Sequence, residues 1–385
     1  MNNSAFEPSL AAVEKAFGEN FANRDEIGAS VSVWHYGEEV LSLAAGFCDR
    51  DETRAWRHDS LVPFWSATKG LSSACLLHLL DRSGIALGDP VARVWPEFAR
   101  AGKGGVSFEE ILSHQAGLPA LDREVSIFDH AAVISAIEDQ QPLWQPGSRH
   151  GYHARIFGFL LDEIVLRIAG IRLGSYFRRE FGDPLGLDLW IGLPEAEHGR
   201  VATLYAGHMS DPQGEADFYR SFADRQSLTR RAFASPAGLA AISGMNFPDA
   251  WNAGWPALGG IGTAGGLAKF YAMLAGGGDW EGKGYFPEQV LQSMSVVLVS
   301  GRDEVFCMES AFSAGFMKDA PAAGRRRMFG RSEKSFGHPG AGGSLAFADP
   351  ENNLAFAYTM NQMSYGVLPG PKALDMVDAL YGLGH

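Results

Sequence analysis

Strand-forming sequence is concentrated near the two ends of this chain, and the stretch between them reads as helix and loop. Near the start, GASVSVWHYG and EEVLSLAAGFCD flank a Tyr36-Gly37-Glu38 turn, the pattern of two antiparallel strands. Near the finish, FSAGFMKD, KSFGHPG and SLAFADPENNLAFAYTMNQ form a second β-rich block. Its Asp349-Pro350-Glu351-Asn352-Asn353 cluster marks a turn between two alternating apolar strands. Helical spacing places Leu10, Val13, Phe17 and Phe21 on one face of residues 8–23. FWSATKGLSSACLLHLLDRSG reads as a helix entered near Ser66 and stopped around Gly84, and GLAKFYAMLAGG, PEQVLQSMSVV and KALDMVDALYGL as later ones. From about 88 to 258, periodic segments such as SFEEILSHQAGL, AAVISAIEDQ and ARIFGFLLDEIVLRIAG alternate with Pro/Gly loops. The expected class is therefore α/β of the α+β kind. An antiparallel sheet flanked by helices is built from 1–87 and 259–385, and a mostly helical domain, 88–258, is inserted.

Composition removes several functions. The 385 residues are 46% hydrophobic, enough for a substantial core, which excludes the disordered and fibrous classes. A net charge of −13 opposes nucleic-acid binding, which needs a basic face, and the run Arg325-Arg326-Arg327 reads as a solvated loop. Three scattered cysteines, Cys48, Cys75 and Cys307, make neither a disulfide framework nor a metal cluster. MNNSAFEPSLAAVEKAFGEN has no basic n-region or long apolar core of a signal peptide, and no stretch is long enough to span a membrane. The expectation is a soluble, cytoplasmic protein, with oligomeric state left open.

Two glycine-rich segments are decoys. Gly260-Ile-Gly262-Thr-Ala-Gly265 matches G-x-G-x-x-G, but AWNAGWPAL before it lacks a strand pattern, and no βαβ unit surrounds it. GGDWEGK, ending at Lys283, continues into Gly284 where a phosphate-binding loop needs Ser or Thr. The hydrolase elbow G-x-S-x-G is absent, and His150 and His153 have no third ligand in sight, so no metal is expected.

Ser66-Ala67-Thr68-Lys69 is the one S-x-x-K in the chain. On a helix beginning at Ser66, the two side chains lie one turn apart on the same face. The helix start also offers unpaired N–H groups to developing negative charge. A serine hydroxyl needs a neighbouring base to become a nucleophile, and a lysine with a lowered pKa is one.

With that box, PFWSATKGLSS resembles the serine β-lactamase and penicillin-binding-protein superfamily. Two more boxes follow in the family's order. Tyr152-His153-Ala154 resembles the Tyr-x-Asn or Tyr-x-Ser box, and His338-Pro339-Gly340 resembles the Lys-Thr-Gly box on an edge strand facing the site. EEILSHQAGLP looks like the family's L-x-x-H-x-x-G-L stretch, so the resemblance spans roughly 10–380. It is nearest to the class C-like branch with the family VIII carboxylesterases. The resemblance implies a β-lactamase-like fold, Ser66 as acylated nucleophile, Lys69 as base, and Tyr152 as the proton carrier that serves the leaving group and later water. It implies an oxyanion hole made by the backbone N–H groups of Ser66 and Ala341. His338, Gly340, His153 and Trp65 become candidate substrate contacts, and no cofactor is implied.

Two departures point to substrate. Ala154 replaces the polar third residue of the tyrosine box, and His338 replaces a lysine whose charge helps hold a substrate carboxylate. Both disfavour β-lactams and favour uncharged small-molecule esters. The bland readings are a Ser66 helix cap, a Lys69 surface ion pair, a core Tyr152, a structural His153 and a satisfied strand histidine at 338. Trp65, Trp144, Trp251 and Trp255 are candidates for an acyl pocket or simply for core. The competing functions are a β-lactamase or D-alanyl-D-alanine carboxypeptidase, an acyltransferase or amidase using the same site, and a catalytically silent ligand-binding relative.

Overall fold

The computed structural model describes residues 6–208, 214–320 and 326–383; Arg325 and the first five residues of the segment read for a leader lie outside them. Helix α1 (Leu10–Asn23) precedes strands β1 (Gly28–His35) and β2 (Glu38–Gly46). Tyr36 and Gly37 both take positive φ, 50° and 79°, which matches the twist of a two-residue hairpin and explains the tight turn read there. Strand β3 (Val62–Pro63) runs into a 3-10 turn, Trp65–Ala67, and then helix α2 (Thr68–Arg82). Strands β4 (Leu189–Ile191) and β5 (Gly260–Gly262) are short. Strands β6 (Asp279–Trp280) and β7 (Lys283–Gly284) form a small hairpin over the second glycine decoy. The later strands are β8 (Val299–Arg302), β9 (Glu309–Phe312), β10 (Met317–Lys318), β11 (Phe336–Pro339), β12 (Leu345–Asp349) and β13 (Leu354–Met360).

Eight of these strands form one antiparallel sheet in the order β2-β1-β13-β12-β11-β10-β9-β8. The two ends of the chain meet inside it, at the second and third strands from one edge, where Val31 of β1 pairs with Tyr358 of β13. Ala29, Val31 and Val33 point to one face of β1, Ser30 and Ser32 to the other, and all five are buried. Both faces are therefore covered. The helix Ala264–Ala275 lies against β1, β12 and β13, while α1 packs against the last helix, Pro371–Leu380. Lys372 and Glu26 form a buried ion pair, Nζ to Oε1 3.1 Å, near that helix pair.

Four expectations need correction. The His338 box does not lie on an edge strand: β11 has β12 on one side and β10 on the other, although β10 reaches it only through Met317 opposite Gly337. The Gly260 decoy is itself a strand. β5 sits between β3 and β4 in a second sheet, with both pairings antiparallel, so no βαβ unit exists there. Ser66 is not the cap of an α-helix, because the 3-10 turn intervenes and the residue before α2 is Ala67. Arg326, from the basic run, is not simply solvated: its guanidinium pairs with Asp375 and Asp378 on the last helix. Among the described residues, no helix is long and apolar enough to cross a membrane.

Candidate active site

The small sheet sets the position of the Ser66 turn. Phe64 N–H donates to Gly260 O at 3.1 Å, and Gly260 N–H donates to Thr68 Oγ1 at 2.8 Å. A side chain at 260 would lie 2.3 Å from the Phe64 ring and 2.6 Å from Thr68 Oγ1, so the glycine admits the close approach. Between them Trp65 takes φ +49°, the left-handed region that a bulky residue occupies only when its surroundings hold it there. The chain turns sharply at this point, and Ser66 follows. Helix α2 then runs inward, buried from Thr68 to Leu80.

Lys69 is fully buried among polar atoms. Its Nζ lies 3.3 Å from Ser66 Oγ and 2.9 Å from the carbonyls of Ala154 and Ala257. A neutral amine has two N–H groups for the two carbonyls and one lone pair left for the Ser66 hydroxyl. Burial lowers the ammonium pKa well below its usual value. The surface ion-pair reading of Lys69 is thereby excluded.

Tyr152 lies in an irregular stretch before the helix Ile156–Ala169 and is 2% exposed. Lys69 Nζ sits 4.7 Å from the centre of its ring. Burial pushes the tyrosine pKa above its ordinary value, outweighing the opposing influence of the nearby Ser66 hydroxyl. At neutral pH, Tyr152 therefore keeps its proton and is a donor. Phe306 stacks on the ring at 4.4 Å with planes 20° apart.

The third box closes the other side. A side chain at Gly340 would come 2.2 Å from Phe64 O, so the end of β11 rests directly on the backbone leading to Ser66. Gly340 N–H donates to Ser344 O at 2.7 Å, which removes it as a substrate donor and closes a tight loop holding Ala341. Among the described residues, neither the Ser66 nor the Ala341 N–H has a protein acceptor.

His338 is 1% exposed and its Nδ1–H donates to Pro339 O at 2.8 Å. That bond leaves Nε2 as a bare acceptor, and burial brings the imidazole pKa down to about 3. His338 is thus neutral near pH 7, and the reading of it as a satisfied strand histidine fails at Nε2. His153 cannot serve as a substrate contact: its Nδ1–H donates to Gly151 O at 2.7 Å, and Nε2 accepts from Leu118 N–H at 3.0 Å. It braces the loop instead, with His114 accepting from His153 N–H at 3.2 Å. Trp65 is half-buried beside the nucleophile. The indole N–H groups of Trp144, Trp251 and Trp255 each donate to a backbone carbonyl, and of the three only Trp255 is buried.

Three groups at the site had no signal in sequence reasoning. They are the Ala257 carbonyl on Lys69, the Phe306 ring on Tyr152, and buried Asp303, which accepts from Tyr152 N–H at 3.1 Å. Nor does cavity size lead to the site. A cavity of about 960 Å³ lined by His130, Asp162, Arg172 and Trp255, among others, contains none of Ser66, Lys69, Tyr152 or His338. Among the described residues, no cluster of acids, histidines and cysteines has the makings of a metal site.

Comparison with known proteins places relatives along nearly the whole chain. Residues 10–379 match the Beta-lactamase family. The chain is 29% identical over 377 residues to "Esterase/beta-lactamase LipL" of Mycobacterium tuberculosis, covering 93% of this chain and 82% of that protein. Among solved structures it resembles a family VIII carboxylesterase, with TM-score 0.87 and 32% identity over 99% of each chain. A penicillin-binding protein homologue from Caulobacter crescentus is similar, with TM-score 0.85 and 33% identity over 99% of each chain.

Proposed function

The chain belongs to the Beta-lactamase family, and on that footing we propose that it is a serine hydrolase that cleaves carboxylic esters through an acyl-enzyme on Ser66. The observation that carries the reading is the buried Lys69 amine, 3.3 Å from Ser66 Oγ with two carbonyls taking its N–H groups. In the first step the Ser66 hydroxyl gives its proton to Lys69, and Oγ bonds to the ester carbonyl carbon. The Ser66 and Ala341 N–H groups stabilise the resulting oxyanion. The intermediate collapses by breaking the bond to the alcohol oxygen, which takes the proton of the Tyr152 hydroxyl. Water then attacks the acyl-enzyme by the reverse sequence, giving its proton to the Lys69–Tyr152 pair and releasing the acid and Ser66.

Two observations favour neutral esters over β-lactams. His338 is neutral and directs a lone pair, rather than a positive charge, toward any substrate carboxylate. Ala154 contributes only its carbonyl, which Lys69 occupies. The names of the relatives support both activities, since one reads "Esterase/beta-lactamase" and another is a family VIII carboxylesterase. The test is hydrolysis of p-nitrophenyl butyrate beside a chromogenic cephalosporin, for the wild type and Ser66→Ala. The reading requires ester turnover that the variant lacks and little cephalosporin turnover. Fast cephalosporin cleavage would move the protein to the β-lactamases.

A further inference from the structure

Tyr152 belongs to neither a helix nor a strand, so its place depends on contacts from outside its own segment. The principal contact comes from the loop that joins β8 to β9. Asp303, the first residue after β8, is completely buried. One of its carboxylate oxygens, Oδ1, accepts three backbone N–H groups: Tyr152 at 3.1 Å, Val305 at 2.8 Å and Phe306 at 2.8 Å. Its other oxygen accepts from Ser310 Oγ at 3.1 Å, and that hydroxyl also hydrogen-bonds His150 Nε2 at 2.9 Å. Glu304 N–H adds a bond to His150 O at 3.1 Å, two residues before the tyrosine.

A buried carboxylate is costly unless its lone pairs are filled, and here four donors fill them. Among the described residues no arginine or lysine pairs with it, and the one ion-pair partner is His150, whose Nε2 lies 3.9 Å from Oδ2. Its partners are chosen instead by geometry: the Tyr152 backbone on one side and the turn that presents the Phe306 ring on the other. The tyrosine is therefore clamped through its main chain and through its ring face by a single loop of the sheet. The charge also adds to burial in keeping the proton on the Tyr152 hydroxyl.

We propose that Asp303 is the positioning residue for Tyr152, setting the place from which its hydroxyl delivers a proton to the departing alcohol. The proposal rests on the ester-hydrolase reading above. It makes a distinction that a purely structural role does not. p-Nitrophenolate leaves without protonation, whereas ethoxide needs a proton as the bond breaks, so displacement of Tyr152 should harm ethyl esters selectively.

The experiment compares kcat/KM, which reads the steps up to departure of the alcohol and not the shared deacylation, for p-nitrophenyl butyrate and ethyl butyrate in the wild type, Asp303→Ala, Asp303→Asn and Phe306→Leu. Asp303→Ala should lose about tenfold more on the ethyl ester than on the nitrophenyl ester. Asp303→Asn keeps an oxygen for the three N–H groups and should hold the ratio within about threefold of wild type. If Asp303→Ala does not fold, Phe306→Leu tests the same clamp through the ring, and its loss should again be larger on the ethyl ester. Equal fractional losses on both esters in the folded variants overturn the proposal. A wild type that cleaves neither ester refutes the ester-hydrolase reading itself.

Discussion

Gly340→Ala should disable the oxyanion hole while leaving Ser66, Lys69 and Tyr152 untouched. The new methyl carbon would sit 2.2 Å from Phe64 O, with Phe64 C at 3.2 Å and Ser344 Cβ at 3.3 Å. Backbone atoms cannot step aside as a flexible side chain does. The end of β11 and the backbone before Ser66 must therefore separate by roughly 1.2 Å to restore an ordinary 3.4 Å contact in a close-packed interior. Gly340 does not need positive φ, so the penalty is steric and not conformational. The same displacement separates the Ala341 and Ser66 N–H groups, which must converge on one oxygen. A misplacement near 1 Å costs on the order of 100-fold in rate, or about 2.7 kcal/mol of transition-state stabilisation. Overpacking should take a further ~1–3 kcal/mol from stability. The assay is kcat/KM for p-nitrophenyl butyrate together with the affinity of a boronic acid, whose tetrahedral adduct occupies the same hole. Gly265→Ala is the control: it lies in a helix, its nearest new contact is an ordinary 3.7 Å to Glu39 Oε1, and it should leave activity unchanged. A folded Gly340→Ala enzyme within about threefold of wild type in both measurements would refute the placement of the hole.

Other outcomes follow from the buried titratable groups. Because burial lowers the Lys69 pKa, the amine stays neutral down to a pH well below the usual lysine range. Ester hydrolysis should thus reach its plateau well below the usual lysine pKa and fall on acidification as Lys69 gains a proton; a rate still climbing toward pH 10 would contradict this. His153 and His338 both have pKa values brought down to about 3 by burial, against about 6.5 in an unfolded chain. Below pH 6.5 the unfolded state binds protons that the folded state excludes, so stability falls by about 1.4 kcal/mol per unit for each residue. Denaturation midpoints at pH 7 and pH 5 should therefore differ less in His338→Gln than in the wild type, and parallel slopes would contradict the assignment.

The terminal strands were legible because their signals are local. The Tyr36-Gly37-Glu38 turn and the Asp349–Asn353 cluster each sit between alternating runs, and both bound the strands that the structure contains. Strands of two or three residues have no period to read. β5 therefore hid inside a glycine motif, and the pairing of β10 beyond β11 was missed. In the site, Ser66 and Lys69 were legible from spacing that survives the change from α-helix to 3-10 turn, since residues three apart stay on one side in both. His153 was legible as a box member but not as a brace, because its partners are the backbone groups of Gly151 and Leu118. Asp303 carried no motif at all. Its role comes from a contact between residues 151 positions apart, which only the folded chain makes.

The most direct test of the account is the mass of the enzyme caught during turnover. Rapid acid quenching with a slowly deacylating ester, followed by peptide mapping, should find the acyl group on the peptide containing Ser66, and Ser66→Ala should neither carry the acyl group nor turn over. Steady ester hydrolysis by Ser66→Ala, or an acyl group on a different residue, would contradict it.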